Sequence, residues 1–175
     1  YLRRGKLYQE LGALRHELRT VAPLLSPWQA LSYAERRTAL FLFMALVLVR
    51  AWYLFHYPLY GDEIITYLSF VRGGPVVASS FYPLPNNHVL YSVLCSFVCS
   101  LTDNFYLSTR LPTFLISGVG TAISGLLLLR YTTYRVAALA VLLFGFFSHG
   151  LFQAVVGRGY FLQVICTLAA LVALL

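Results

Sequence analysis

From Thr38 to His56 the chain is a nearly unbroken apolar run of 19 residues whose one formal charge is Arg50. An α-helix rises 1.5 Å per residue, so about 20 apolar residues are needed to cross hydrocarbon, and this run predicts a membrane-spanning helix. Similar runs recur at 111–129, at 136–156 and from 160 to 175. The stretch between the first two, residues 57–110, has a different pattern. Ile64, Leu68 and Val71 fall at i, i+4 and i+7, which predicts a short helix that Gly73-Gly74-Pro75 ends. Phe81 to His88, with Pro83, Pro85, Asn86 and Asn87, predicts an irregular polar turn. Val89 to Leu101 is apolar for only 13 residues, short for a span and suited to an interfacial or re-entrant helix.

Ahead of the first span, Leu7, Leu11, Leu14, Leu18 and Val21 form a helical stripe between basic residues, closed by Pro23 and Pro27. Such a helix can lie on the cytoplasmic leaflet or pack against the protein's own cytoplasmic side. Ser32-Tyr-Ala-Glu35 then reads as a capping box that opens the next helix. The expected fold is all-α and polytopic. Residues 1–31 form an amphipathic helix at the cytoplasmic face, residues 32–175 a transmembrane domain, and residues 57–110 an external loop.

Composition removes the soluble alternatives. Hydrophobic residues make up 59% of the chain and charged residues 11%, where a soluble domain carries about 25% charge. Seven of the thirteen basic residues (Arg3, Arg4, Lys6, Arg15, Arg19, Arg36 and Arg37) precede the first span, which orients the N-terminus to the cytoplasm. They flank a leucine stripe without a recognisable nucleic-acid module, so no nucleic-acid partner is expected. Two topologies follow, depending on whether Val89–Leu101 crosses. The positive-inside rule and the short length of that segment favour the one in which Arg130 and Arg135 stay inside. Asp62, Glu63, His88, Asp103, Arg110 and Arg158 then share the external face. Cys95, Cys99 and Cys166 supply no disulfide framework and no metal-ligand spacing. The chain starts at Tyr1, and its last apolar run has no closing flank; a piece of a longer polytopic protein, cut within its last helix, is expected.

The chemistry concentrates at Gly61-Asp62-Glu63. The chain has six acidic residues, and two of them stand together where the first span should surface. Ionisable groups beside hydrocarbon are costly and mark function. The structural reading has Asp62 capping a short helix with Glu63 in its first turn. Arg50 reads as a snorkelling side chain or a binder of an anionic headgroup, Arg110 as an interfacial anchor, and Asp103 as a loop or cap residue.

Taken in order, these residues resemble the polytopic GT-C glycosyltransferases. The likeness is greatest to the protein mannosyltransferase and lipid A aminoarabinose transferase superfamily, within its RgtA/B/C/D-like group. It rests on Arg50, on Gly61-Asp62-Glu63 opening a short helix, on Asn87-His88 leading into Leu90-Tyr91, on Arg110-Leu-Pro-Thr and on Arg158-Gly-Tyr160, and covers residues 40 to 175. The resemblance implies transfer of a sugar from a polyprenyl-phosphate carrier to a hydroxyl of a glycan, lipid or protein acceptor. The reaction would run at the external side of the cell membrane, with inversion at the sugar carbon. It implies Asp62 as the base, Glu63 as a supporting carboxylate, Arg158 on the departing phosphate, and His88 and Tyr160 as hydrogen-bonding groups to substrate. The residues themselves also admit His88 as a helix-start residue, Arg158 as a snorkelling residue and Tyr160 as part of an aromatic belt. The family usually has an acidic residue where this chain has Val156, so no metal cofactor is expected. A non-enzymatic membrane protein, a transporter or an assembly subunit, is the alternative, as is an inactive relative.

Overall fold

A computed structural model describes residues 25–81 and 87–174; the N-terminal amphipathic helix and most of the turn at 81–88 lie outside these. Among the described residues every regular element is a helix. Helix α1 (Ser26–Ala30) is a short turn that begins with Pro27 instead of being stopped by it, since proline fits the first helical turn. Helix α2 (Tyr33–His56) opens with the expected capping box: the Glu35 amide donates to the Ser32 hydroxyl, and the Ser32 amide donates to the Glu35 carboxylate.

Helix α3 (Gly61–Thr66) runs on through a π-turn at Tyr67–Val71. Its N-cap is Tyr60, so Asp62 is not the cap but sits in the first turn beside Glu63. Gly73-Gly74-Pro75 does more than end this helix. Gly74, at φ 86°, makes the left-handed turn that a glycine accepts, and with Pro75 begins α4 (Gly74–Ser80). Helix α5 (Val89–Cys99) is 11 residues, about 16 Å, too short to cross alone.

Helix α6 (Phe105–Tyr131) is the hub and packs against α1, α2, α5, α7, α8 and α9. At 27 residues it is about 40 Å long and starts two turns earlier than the hydrophobic run suggests. Arg110-Leu-Pro112 lies inside it, with Asn104 as cap accepting from the Leu107 amide at 3.1 Å. Asp103 stays exposed in the preceding loop. The run expected as one span at 136–156 is broken at Phe147 into α7 (Tyr134–Phe146) and α8 (Ser148–Val155), bent by 69°. The bend closes so tightly that a Cβ on Gly150 would lie 1.9 Å from the Phe144 carbonyl oxygen. Helix α9 is Tyr160–Leu174.

Helices α2 and α6 are each long and apolar enough to cross a membrane, and the α7–α8 pair makes a third if counted as one broken span. Residue placement is inverted relative to a soluble protein. Phe41, Leu48, Trp52 and Val119 are exposed, while Arg50, Thr113, Ser117 and Thr121 are buried. Polar groups bonded between helices with apolar groups outward suit lipid, where burying apolar surface drives nothing.

Arg50 does not snorkel. It is 1% exposed and turns into the bundle, donating through Nη1 to Thr121 Oγ1 at 2.9 Å and the Ser117 carbonyl at 3.1 Å. Its Nε and Nη2 have no hydrogen-bond partner among the described residues, and its guanidinium faces the Phe161 ring at 5.8 Å. Ser117 and Thr121 lie one turn apart on α6, so they offer acceptors closer than the interface.

Candidate functional site

The buried keystone of one end of the bundle is Glu63, with 0% exposure. The α3 backbone begins just after the α2 C-terminus, and a third-position glutamate reaches back to the Tyr60 amide, 3.1 Å from Oε2. Arg110 approaches from α6 and grips the carboxylate with both prongs, Nε to Oε1 at 2.8 Å and Nη2 to Oε2 at 2.7 Å. The Gly157 amide adds a fourth bond, 2.6 Å to Oε1. Glu63 therefore has its acceptor positions filled from within the chain.

Arg110 is as fully used. Its five N–H groups (one on Nε, two on each Nη) meet five acceptors: the two Glu63 oxygens and the carbonyls of Leu54, Tyr57 and Pro58, the last three at 3.0–3.1 Å. Leu54 lies in the final turn of α2, and Tyr57 and Pro58 follow its end, where carbonyls lack intrahelical donors. Arg110 is thus a buried cap for α2, not the interfacial anchor its sequence position suggested, and a planar five-donor fork is the side chain that can do this.

This clamp has a topological consequence. It joins the end of α2 to the start of α6, so the two long helices run antiparallel with α3, α4 and α5 gathered at the same end. Gly157, after α8, reaches that end as well, whereas α7 begins at the opposite one, beside Ala39 and Leu129. The bent α7–α8 pair thus runs from one end of the bundle to the other.

Over the clamp lies a more open cluster. Asp62 pairs directly with Arg158, and their side chains are 34% and 16% exposed. Arg158 also donates to the Tyr160 hydroxyl at 2.9 Å and lies over two rings, Tyr60 at 5.7 Å and Tyr160 at 5.2 Å. The His88 ring meets Tyr160 edge-on at 5.2 Å. Half-burial lowers the His88 pKa from its usual value, because desolvation penalises the imidazolium. Asn87 anchors the approach to His88: its amide donates to the Ala78 carbonyl at 2.9 Å and its oxygen accepts from Ser92 at 2.7 Å.

Asp62, His88, Arg158 and Tyr160, up to 98 residues apart in sequence, are therefore brought together, with Glu63 directly beneath and facing inward. Three contributors went unrecognised in the sequence. Tyr60 and Phe152 meet edge to face at 5.7 Å and wall one side. Gly157 must lack a side chain, because a Cβ there would stand 2.7 Å from the Tyr91 hydroxyl and 3.0 Å from Glu63 Oε1. Val156 is 1% exposed, and among the described residues no group of three or more His, Cys, Asp and Glu side chains could hold a metal ion.

No family model, no curated protein and no solved structure matches the chain. Among the described residues the regular structure is all-helical, with two helices long and apolar enough to cross a membrane, or three if the bent pair counts as one span.

Proposed function

We propose that the chain carries the reaction centre of a GT-C-like membrane glycosyltransferase, transferring a sugar from a polyprenyl-phosphate donor to an acceptor hydroxyl at the external face, with α3, α4 and α5 lying at the interface. The observation that carries this reading is the pairing of Asp62 with Arg158, partly exposed and ringed by Tyr60, Tyr160 and His88, above an internally satisfied Glu63–Arg110 clamp. In an inverting transfer the acceptor oxygen bonds the anomeric carbon as the carbon–oxygen bond to phosphate breaks. The acceptor proton goes to a base, and the electron pair leaves on phosphate. Asp62 is the carboxylate with an open side and takes the proton. Arg158 bears the charge gained by the departing phosphate, with Tyr160 and His88 as hydrogen-bonding groups beside it. Glu63 holds the Asp62 backbone and the Gly157–Arg158 turn in register, a positioning role.

The test is Asp62→Asn in the whole protein in membranes, assayed for release of polyprenyl phosphate from a panel of polyprenyl-phosphate hexoses. Loss of general-base catalysis costs about 10²–10⁴-fold, with yield unchanged and stability lowered by no more than about 1 kcal/mol. Turnover at the unsubstituted rate overturns the assignment. A second reading, a non-enzymatic transporter or assembly subunit, draws on Arg50, an inward-facing charge within a span. It expects no phosphate release with either residue at position 62.

A further inference from the structure

At the end of the bundle remote from Asp62, α1, α2, α6 and α7 leave a cleft of about 320 Å³ between them, within the usual range of small-molecule sites. Its walls are almost wholly apolar, with Phe43, Leu46, Leu126 and Val141 inside and Trp28 and Tyr134 among its lining residues. Along α7 the cleft runs from Tyr134 to Phe146, about 18 Å at helical rise, close to the half-thickness of a ~30 Å hydrocarbon core. One acyl chain of one leaflet has that reach.

The end of the cleft where these helices turn is strongly basic. Arg37 precedes the lining residues Ala39 and Leu40, Arg130 follows Leu129, and Arg135 follows Tyr134; all three arginines are exposed. Arg36 at the same end is committed to the carbonyls of Gln29 and Leu31. Glu35, the acid on the adjoining turn of α2, is bonded to Ser32 and also lies within electrostatic reach of Arg135, so it offsets part of the positive charge at this mouth. The Tyr134 hydroxyl is a buried donor without a hydrogen-bond partner among the described residues. A basic mouth, an unmet hydroxyl beside it and an apolar slot behind ask for a ligand with a negative, oxygen-rich head and a hydrocarbon tail. Residues 2–22 carry five basic residues (Arg3, Arg4, Lys6, Arg15, Arg19) against two acidic ones (Glu10, Glu17), a net charge of the same sign as this mouth.

We propose that this cleft is a binding site for an anionic glycerophospholipid, one acyl chain lying between α2, α6 and α7 and the phosphate held by Arg37, Arg130 and Arg135, with Tyr134 donating to a phosphate or ester oxygen. The site is separate from the Asp62–Arg158 cluster and stands whether or not sugar transfer occurs there.

Trp28, on the cleft wall, supplies the readout. The whole protein, with its other tryptophans replaced by phenylalanine, is placed in phosphatidylcholine nanodiscs doped with either brominated phosphatidylglycerol or brominated phosphatidylcholine. Three arginines near an anionic headgroup should give a preference on the order of tenfold or more. Brominated phosphatidylglycerol then quenches Trp28 at about a tenth of the mole fraction required of brominated phosphatidylcholine. Arg37→Gln with Arg130→Gln and Arg135→Gln removes the preference, and Ala138→Phe, which fills the slot, weakens quenching by both lipids. Equal quenching by the two lipids in the parent protein overturns the proposal without need of any variant. A preference that survives the triple substitution overturns it too.

Discussion

Replacing Glu63 by glutamine changes one atom and should break the clamp. The carboxylate receives four N–H groups, two on each oxygen: Arg110 Nε and Gly157 N on Oε1, Arg110 Nη2 and Tyr60 N on Oε2. An amide has one oxygen, so in either orientation its NH₂ faces two donors. Each orphaned buried donor costs about 1–3 kcal/mol. Arg110, at 0% exposure, is also left without its counter-charge, and breaking one side of a buried pair costs about 3–5 kcal/mol in all. Folded domains are held by about 5–15 kcal/mol, so the unfolding midpoint of Glu63→Gln in detergent should fall sharply. Asp62→Asn, one residue away, breaks a pair partly open to solvent and should cost about 1 kcal/mol or less. Pairing Glu63→Met with Arg110→Met should recover only part of the loss, because the carbonyls of Leu54, Tyr57 and Pro58 then lose their donor. A Glu63→Gln protein that unfolds at the unsubstituted midpoint would refute the clamp.

Arg50→Met removes a buried charge that has no acidic partner among the described residues, and a well-packed apolar replacement at such a site is neutral or stabilising; a drop in midpoint of several degrees would contradict this. Gly150→Ala sets a Cβ against the Phe144 carbonyl, which as backbone cannot step aside, and should cost about 1–3 kcal/mol as the bend is forced open; an unchanged midpoint would show that the bend tolerates a side chain. His88 titrates lower when folded than its ordinary 6.5. Above that value both states are neutral; below it the unfolded chain takes up the proton first, so stability falls as pH drops below 6.5. His88→Gln should flatten this acid limb of a midpoint-against-pH series, and an unaltered limb would assign it to other groups.

Period and length were legible without coordinates. The 19-residue run at 38–56, the capping box at Ser32 and the shortness of Val89–Leu101 depend on local chemistry and on the thickness of hydrocarbon, and the helices follow them. The grouping of Asp62 with His88, Arg158 and Tyr160 was also anticipated, through a family resemblance and a charge rule acting over whole segments. What sequence could not divide was labour between neighbours. Asp62 and Glu63 are equivalent in composition and adjacent in position, yet one is open and the other sealed. That outcome depends on which of them meets a fork from α6, 47 residues away, and an amide 94 residues away. The same holds for the two arginines taken for interface residues. A long cationic side chain carries no mark of whether it will reach for water or for carbonyls and hydroxyls on a neighbouring helix. Arg50 and Arg110 turned inward because Ser117, Thr121 and the frayed end of α2 were nearer than the membrane surface. The bend at Phe147 was hidden for a related reason. The run at 136–156 is long enough for one span, and the bend of 69° appears only where the folded chain sets Gly150 against the Phe144 carbonyl. Local pattern determines where helices lie; which polar atoms they exchange is decided only when the helices meet.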